Sequence, residues 1–343
     1  MFKFALVGCG YWGPNLLRNL HALSNCCVGV VCDTNPERLK LIQSNFSSIQ
    51  TTMKFDDVID NDSIGAVAIA TPVFSHFELG RKCLSAGKHV FIESPMAATT
   101  DQCKELVEMA EEKSLTLMVG HTFIYNRAVS KIKEIIDQNE LGEIKYISSR
   151  RLNLGIFQKD INVVWDLAPN DISIINYLLN NTPSSVQCSG KAHINPGIED
   201  VTNMTLEYPN DCFVSVHNSW LDPNKVREMI IVGSKKMLVY NDMEPVEKIK
   251  IYDKRVECPP HYETFGEFHY GYYYGDTHIL HVKPVEPLRI ECQHFYDCIQ
   301  TGTIPRTSGW EGMAVVQILE AASKSLQNHG EYSGRVCQDT KSG

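Results

Sequence analysis

Three glycines near the start of the chain, Gly8, Gly10 and Gly13, have the spacing of a turn that binds the phosphates of a dinucleotide. In such a turn the glycines let the backbone approach the pyrophosphate, and the N–H groups at the start of the following helix bind it. Tyr11 and Trp12 lie inside the turn. Because this spacing also arises by chance, the flanking sequence has to distinguish a nucleotide site from a plain glycine-rich turn.

An acidic residue stands where this kind of site needs one. Asp33 ends a second apolar run and lies 20 residues after Gly13. A carboxylate there would accept hydrogen bonds from the adenosine ribose hydroxyls and repel the 2′-phosphate of NADP. We therefore predict NAD as the cofactor, in preference to NADP. The alternative role of Asp33 is to cap the turn that leads to Pro36.

The elements around this turn have the pattern of a doubly wound parallel sheet. The apolar segment Phe4–Gly8 predicts a buried strand, and Pro14 with the leucines that follow it predicts an amphipathic helix. Further apolar runs at residues 66–70, 89–92 and 115–119 alternate with helical patterns. This alternation predicts an α/β domain.

The pattern changes after about residue 120. Residues 185–253 predict successive strands without intervening helices, which indicates an open, mainly antiparallel sheet. We expect residues 258–287 to be irregular, residues 288–300 and 310–326 to form helices, and residues 331–343 to be a loose tail. The expected domains are an NAD-binding Rossmann domain, residues 1–122, and an α+β domain for substrate binding and oligomerisation, residues 123–343.

Composition excludes several partners. The 343-residue chain has a net charge of −9 and a pI of about 5.7, which argues against nucleic acid or an anionic membrane as the main partner. No apolar run approaches the ~18 residues of a membrane span, and strand-like sequence begins at Phe2 without a leader. We expect a cytoplasmic protein whose partner is a small-molecule substrate.

The twelve cysteines are scattered and form no CxxC pair, so we interpret them as reduced, mostly buried residues. His278 and His281 are three residues apart without further ligands nearby. We therefore expect neither a disulfide framework nor a metal site.

Several segments resemble the Gfo/Idh/MocA family of oxidoreductases, named after glucose-fructose oxidoreductase, inositol dehydrogenase and a rhizopine-catabolism protein. The segments are ALVGCGYWGPNLLRN, ATPVFSHFELGRKCLSAGKHVFIESPMA, GHTFIYNRAVSKIKEII, RRLNLG, VWDLAPNDISI and EPLRIECQHFYDCI. They are similar to the branch of UDP-N-acetylglucosaminuronate 3-dehydrogenases of bacterial surface-polysaccharide pathways. The resemblance implies an NAD-dependent oxidoreductase acting on a nucleotide-linked or related sugar.

The resemblance also implies roles for matching positions. The pyrophosphate would be surrounded by Gly8, Gly10, Tyr11, Trp12 and Gly13, with Asp33 at the adenosine ribose. The nicotinamide end would contact Thr71, Pro72, His76 and, at its ribose, Glu93. The sugar pocket would be lined by Arg151, Asn153, Asp166, Asn170, Asp171 and the tyrosines that end at Tyr274.

Two motif positions depart from the family. The motif Glu-Lys-Pro reads Glu93-Ser94-Pro95, and Asp-x-x-x-His-Asp ends in Asn170-Asp171. In the family the lysine and histidine are thought to take the proton of the sugar hydroxyl, a contribution typically worth about 10²–10⁴-fold. Serine and asparagine bind hydroxyl groups but do not titrate near neutral pH.

Three explanations follow from this paired loss. A dehydrogenase can recruit another base, for which the candidates are His76, His121, Tyr125 and Asp171. Hydride transfer can instead serve the reduction of an unsaturated or imine-like substrate, as in the distantly similar biliverdin reductases. The third explanation is a non-redox enzyme, or a sensor or scaffold that binds NAD and a sugar nucleotide.

The second domain also predicts self-association. An open sheet with one apolar face needs a partner to cover that face. We therefore expect a homodimer or homotetramer that forms through this domain.

Overall fold

The computed structural model describes residues 1–257, 271–328 and 330. They divide into two compact units. Unit 1 contains Met1–Tyr125 and Val285–Glu320, and unit 2 contains Asn126–Pro284 and the chain from Ala321 onward.

Unit 1 is built on a six-stranded parallel sheet. Its strands are β1 (Phe2–Val7), β2 (Cys26–Cys32), β3 (Gln50–Thr52), β4 (Ala66–Ile69), β5 (His89–Glu93) and β6 (Leu117–Gly120). Their spatial order is β3-β2-β1-β4-β5-β6. The order changes direction between β1 and β4, and in this architecture nucleotides bind at the carboxyl ends of the strands beside that point. The predicted Rossmann domain is confirmed.

Helices connect these strands as the sequence pattern indicates. They are α1 (Gly13–His21), α2 (Pro36–Asn45), α3 (Asp56–Ile59), α4 (Val73–Ser85) and α5 (Thr100–Glu112), and a 3₁₀ helix, Thr122–Tyr125, follows β6. Leu16, Leu17 and Leu20 of α1 are buried as expected. The Thr99 side chain caps α5 by accepting a hydrogen bond from the Gln102 N–H.

Unit 2 combines two complete helices with an eight-stranded sheet. Its elements are α6 (Arg127–Asp137), β7 (Ile144–Leu154), α7 (Val163–Leu179), β8 (Ser185–Lys191), β9 (Val201–Tyr208), β10 (Cys212–Ser219), β11 (Leu221–Gly233), β12 (Met237–Asn241), β13 (Ile249–Glu257) and β14 (Gly271–Leu280). The strand order is β14-β13-β12-β11-β7-β10-β9-β8, and among the described strands of this sheet only β7 and β10 pair in parallel. Helix α7 packs on β7, β9 and β10. The predicted α+β domain with an open, mainly antiparallel sheet is confirmed.

One segment predicted as irregular contains a strand. Gly271–Leu280 forms β14, which pairs with β13 at the edge of the sheet. Glycines and a run of tyrosines interrupt the apolar–polar alternation by which a strand is predicted. Because β14 is an edge strand, pairing with β13 on one side is sufficient to form it. The rest of that prediction, at residues 258–270, and the predicted tail, residues 331–343, lie outside the described residues.

The last helices differ from the expected domain division. Helices α8 (Pro287–Thr301) and α9 (Gly309–Gln327) form as predicted, but Val285–Glu320 belongs to unit 1 rather than to the second domain. The cause is apolar packing: the Phe295 ring lies 5.9 Å from Phe4 and 5.7 Å from Phe91, both on strands of the parallel sheet. Among the helices of the described residues, none has the length and apolar character needed to cross a bilayer.

Candidate functional site

The glycine turn after β1 has the geometry of a phosphate-binding turn. Gly8 has a φ of +94°, and a Cβ there would lie 2.6 Å from the Ala70 carbonyl oxygen, so a larger residue does not fit. A Cβ on Gly13 would lie 2.1 Å from the Gly8 carbonyl oxygen. Gly10, in contrast, has only the tip of Arg38 within 4 Å, which leaves its backbone open to a ligand.

Helix α1 begins within this turn and offers its N-terminus to an anion. Pro14 occupies the first turn, as predicted, and none of the described side chains caps the helix start at Trp12. Tyr11 is 89% exposed and Trp12 is 36% exposed, so both aromatic rings remain accessible beside the turn. Uncapped N–H groups and the helix dipole favour binding of a pyrophosphate.

Asp33 ties the glycine turn to the end of β2. Its Oδ2 accepts a hydrogen bond from the Cys9 N–H at 2.5 Å, and its Oδ1 accepts one from the Asn35 N–H at 2.7 Å. The second bond is the turn cap that the sequence offered as an alternative. Since a carboxylate has about four acceptor sites, both bonds leave capacity for ribose hydroxyls. The Arg38 guanidinium lies 3.6 Å from Asp33 Oδ2.

His76 links two loops at the carboxyl end of the sheet. Its Nδ1 lies 2.9 Å from the Pro95 carbonyl oxygen and its Nε2 lies 2.7 Å from the Thr71 carbonyl oxygen. The ring is 2% exposed, and burial lowers its pKa. Both ring nitrogens lie at hydrogen-bond distance from backbone carbonyl oxygens, and a neutral imidazole donates to one of them. His76 thus lies between Thr71 and the loop that carries Ser94.

Several buried polar atoms at the ends of β5 and β6 have no hydrogen-bond partner among the described residues. They are Glu93 Oε1, Ser94 Oγ, both ring nitrogens of His121, and Glu291 Oε1 on α8. The other oxygen of Glu291 accepts a hydrogen bond from the Thr122 hydroxyl at 2.7 Å. We call Glu93, Ser94, His121 and Glu291 the buried polar cluster. Glu291 was absent from the predicted site, because a glutamate on a helix is usually at the surface.

Burial shifts the pKa values in this cluster. It raises the pKa of Glu93 to about 8, against the opposing effect of hydrogen bonds from Trp12 and the Ser94 backbone. It also raises the pKa of Glu291 well above its usual range, with the Glu93 charge as the next cause. It lowers the pKa of His121 to about 4, so that imidazole is neutral near pH 7.

Tyr125 is enclosed in the core of unit 1. The side chain is 1% exposed and its hydroxyl lies 3.1 Å from the Thr307 hydroxyl. Burial raises the pKa of Tyr125, while the Arg306 guanidinium over its ring lowers it by less. This environment favours the neutral phenol.

In unit 2 the predicted sugar-binding residues divide into two groups. Arg151 on β7 and Asp171 on α7 form a buried bidentate ion pair, with N···O distances of 3.0 and 2.7 Å. They are 6% and 4% exposed. This pair joins the helix to the sheet, which indicates a structural role for both residues.

Asp166 and Asn170 form the second group, one turn apart on α7. Asp166 Oδ2 accepts a 2.8 Å hydrogen bond from the indole N–H of Trp220, a residue that sequence reasoning missed. Burial raises the pKa of Asp166, while the Trp220 bond and the Arg151 charge lower it by less. A Cβ on Gly155 would lie 2.7 Å from the Trp220 ring and 3.4 Å from Asn153 Nδ2, so Asn153 lies near the same indole.

Tyr274 lies apart from these groups. It is 72% exposed on β14, next to Lys254, whose Nζ lies 5.8 Å from its ring. Four strand-to-strand steps separate β14 from β7, or about 19 Å. The described residues contain no group of three or more His, Cys, Asp or Glu side chains arranged to hold a metal.

Comparison with known proteins matches both units to domains of one family. Residues 2–121 match the model of the oxidoreductase family with an NAD-binding Rossmann fold, Gfo/Idh/MocA, and residues 129–239 match the C-terminal domain of the same family. The chain is 26% identical to 2,7-anhydro-N-acetylneuraminate hydratase of Escherichia coli, over 61% of this chain and 59% of that protein. It is 24% identical to an uncharacterized oxidoreductase of Streptococcus pneumoniae, over 62% and 61%. The match thus spans about three fifths of the length of these two relatives.

A solved structure shares the whole fold. UDP-N-acetylglucosamine 3-dehydrogenase of Acidithiobacillus ferrooxidans superposes with a TM-score of 0.78 at 20% identity, covering 95% of this chain and 98% of that one. The two family matches, the Rossmann strand order and the glycine turn agree with one another. The chain belongs to the Gfo/Idh/MocA family of oxidoreductases and carries that family's NAD-binding domain.

Proposed function

We propose that the protein is an NAD-dependent oxidoreductase that acts on a hydroxyl group of a nucleotide-linked or related sugar. The glycine turn carries this proposal, because Gly8 and Gly13 cannot be larger residues and the helix N-terminus beside them is open. The printed names of the similar proteins, a UDP-N-acetylglucosamine 3-dehydrogenase and a hydratase of an anhydro sugar acid, support a sugar-type substrate.

The residues of unit 1 fit NAD. The turn from Gly8 to Gly13 would hold the pyrophosphate, and Asp33 would accept hydrogen bonds from the adenosine ribose. The buried polar cluster, in which each residue has at least one side-chain atom without a hydrogen-bond partner among the described residues, would face the nicotinamide half. When bound, NAD supplies the hydride acceptor or donor.

Asp166 is the best candidate for the proton acceptor that replaces the missing pair. Burial raises its pKa toward the working range of a base, and Trp220 fixes one of its two oxygens. Asn170, one turn further along α7, would orient the substrate hydroxyl by hydrogen bonding.

The other candidate bases are less suited to proton transfer. Asp171 is paired with Arg151, and both nitrogens of His76 contact backbone carbonyls. Tyr125 has a raised pKa and His121 a lowered one. Ser94 has no titratable group, so we give it a hydrogen-bonding role.

A non-redox reaction is the second candidate. The E. coli relative is named a hydratase, which describes addition or removal of water rather than net oxidation. The absence of the usual Lys and His at positions 94 and 170 is compatible with such chemistry.

The test is to incubate the protein with NAD⁺ and a panel of UDP-linked sugars, and to follow NADH absorbance and the mass of the sugar. A dehydrogenase gives NADH and a sugar that has lost two hydrogens. A changed sugar without net NADH supports the second candidate. Asp166→Asn is expected to lower turnover by about 10²–10⁴-fold, whereas Asp160→Asn, an exposed residue just before α7, serves as the matched control.

We also propose that the protein works in the cytoplasm, in surface-polysaccharide synthesis, as a homodimer or homotetramer. The edge strand β14 supports self-association, because Tyr272 and Tyr274 are 67% and 72% exposed. A mass-resolved sizing experiment at micromolar concentration tests this, and a monomer would contradict it.

A further inference from the structure

We infer that Arg38 belongs to the adenosine end of the cofactor site and weakens the preference for NAD over NADP, so that the protein binds both nucleotides. The inference rests on the proposed cofactor-binding function. It concerns the 2′-phosphate, which is the group by which NADP differs from NAD, and it adds a residue that the sequence analysis did not place in the site.

The first observation is the unequal exposure of two charges at the end of β2. The Asp33 side chain is 4% exposed, and each of its oxygens accepts a hydrogen bond from a backbone N–H group. The Arg38 side chain is 50% exposed, with its Nη1 atom 3.6 Å from Asp33 Oδ2. The charge that is accessible to a ligand here is therefore mainly that of the guanidinium, whereas the carboxylate is enclosed.

The second observation is the position of Arg38 beside the glycine turn. A Cβ on Gly10 would lie 3.9 Å from Arg38 Nη1, which is the one neighbouring atom within 4 Å in the described part of the chain. In a site of this architecture, the glycine turn binds the pyrophosphate and the acid at the end of the second strand lies at the adenosine ribose. A guanidinium that adjoins both Gly10 and Asp33 therefore lies at the adenosine end.

Local hydrogen bonds fix the backbone that carries Arg38. The Asn35 N–H donates to Asp33 Oδ1 at 2.7 Å. The Asn35 side chain then accepts hydrogen bonds from the Glu37 and Arg38 N–H groups at 2.9 and 3.4 Å, and Pro36 occupies the first turn of α2. Because of this cap, Arg38 lies in the first turn of the helix, with its side chain beside the carboxylate five positions earlier.

The charges nearest to the ribose offset one another. An isolated Asp33 would repel an anionic 2′-phosphate, but Arg38 supplies the opposite charge and projects further into solvent. Lys40, the next cation on α2, is paired with Glu37 at 2.8 Å. A guanidinium binds phosphate oxygens in bidentate geometry, and an arginine near the ribose is a known means of accommodating a 2′-phosphate. Arg38 thus offers the phosphate of NADP a direct partner.

The same arrangement retains the binding of NAD. A carboxylate has about four acceptor sites, so Asp33 keeps capacity for a ribose hydroxyl beside its two backbone hydrogen bonds. NAD⁺ and NADP⁺ share the pyrophosphate, the adenine and the nicotinamide half. In the ratio of their dissociation constants these shared interactions cancel, and the effect of the 2′-phosphate remains.

The experiment is isothermal titration calorimetry of the whole protein with NAD⁺ and with NADP⁺. We expect the Kd of NADP⁺ to lie within about tenfold of that of NAD⁺. Arg38→Ala is expected to raise the ratio of the NADP⁺ Kd to the NAD⁺ Kd by about 10–100-fold, the value of a hydrogen bond to a charged group. Arg38→Lys keeps the charge and should raise the ratio less. Lys40→Ala, an exposed cation on the same helix, is the matched control.

Salt gives a second readout. In the unaltered protein, raising the ionic strength from about 0.05 M to about 0.5 M should raise the ratio, because salt screens the attraction between the exposed guanidinium and the phosphate. In Arg38→Ala the ratio should fall with salt, because the remaining effect is repulsion by Asp33. The two proteins are therefore expected to respond to salt in opposite directions.

The outcomes separate this inference from the proposed function. A ratio above about tenfold in the unaltered protein, or one that Arg38→Ala leaves unchanged or lowers, overturns the inference while NAD binding stands. Failure of both nucleotides to bind overturns the proposed function and the inference with it. Should Arg38→Ala not fold, as judged by circular dichroism, the unaltered protein decides: a ratio that rises with salt supports the role of Arg38, and a constant or falling ratio contradicts it.

Discussion

The indole N–H of Trp220 donates a 2.8 Å hydrogen bond to Oδ2 of Asp166, and so fixes a carboxyl group whose pKa is raised by burial. Trp220 is 1% exposed and belongs to no recognisable sequence motif. It follows β10, whereas Asp166 belongs to the first turn of α7. The bond therefore ties the candidate base to the junction between β10 and β11 in unit 2.

Removing this bond gives a test of Asp166 as the base. Trp220→Phe is expected to raise the pKa of Asp166, because the lost hydrogen bond stabilises the carboxylate. A base must be deprotonated, so the acidic limb of the pH–rate profile should move to higher pH. Trp165→Phe, which removes the 2.9 Å bond from another indole of α7 to the Ser323 hydroxyl, is the control. An unshifted limb in Trp220→Phe would exclude Asp166 as the titrating base.

Cofactor choice is expected to depend on Asp33. Asp33→Asn removes a negative charge but keeps the shape of the side chain near the Cys9 N–H. The Kd of NAD⁺ should rise by about tenfold, because a charged hydrogen bond is worth about 1.5–3 kcal/mol, and NADP⁺ should bind more tightly than before. Asp57→Asn, at the start of α3, serves as the control. Equal affinities of the variant and the unaltered protein would mean that Asp33 only caps its turn.

The Arg151–Asp171 pair is expected to matter for stability. Asp171→Asn leaves a buried guanidinium with a weakened partner and should cost about 3–5 kcal/mol of unfolding free energy in urea. The double variant Arg151→Met/Asp171→Leu should cost less than this single change. Arg150→Met, which breaks an exposed pair with Glu228 on the same sheet, should cost about 0–1 kcal/mol. Loss of turnover with unchanged stability in Asp171→Asn would instead support a catalytic role.

Restoring the two missing motif residues tests whether dehydrogenase chemistry was simply lost. Ser94→Lys with Asn170→His is expected to raise oxidation of a sugar nucleotide by at least ~10²-fold, the scale of a restored general base. The lysine would also supply the buried Glu93 with a cation. Ser94→Ala with Asn170→Ala is the control. Absence of any gain would indicate that residues other than Ser94 and Asn170 have changed as well.

The sequence predicted what depends on local pattern. The glycine turn, Asp33 and the alternation of strands and helices in the first domain follow from spacing and hydrophobic periodicity, and the structure contains them. The open, mainly antiparallel sheet of unit 2 was also predicted from the sequence. These features are set by residues close together in the chain.

Features that depend on distant contacts were harder to predict. Trp220 and Asp166 are 54 positions apart, and their pairing depends on how α7 packs on the sheet. Glu291 shares the buried face of α8 with Leu288 and Phe295, but a glutamate at such a position is usually at the surface. Strand β14 has strand-forming tyrosines but no apolar–polar alternation, so its pairing with β13 could not be read from periodicity.

Because unit 1 is discontinuous, its completion depends on the order of synthesis. Phe295 packs on Phe4 and Phe91, yet it leaves the ribosome only after the whole sheet of unit 2. A nascent chain that ends at Tyr125 therefore exposes part of its apolar core. Exposed apolar surface of this kind is prone to aggregation and is what chaperones bind. The nucleotide-binding unit therefore reaches its native packing only after the sheet of the second unit has been translated.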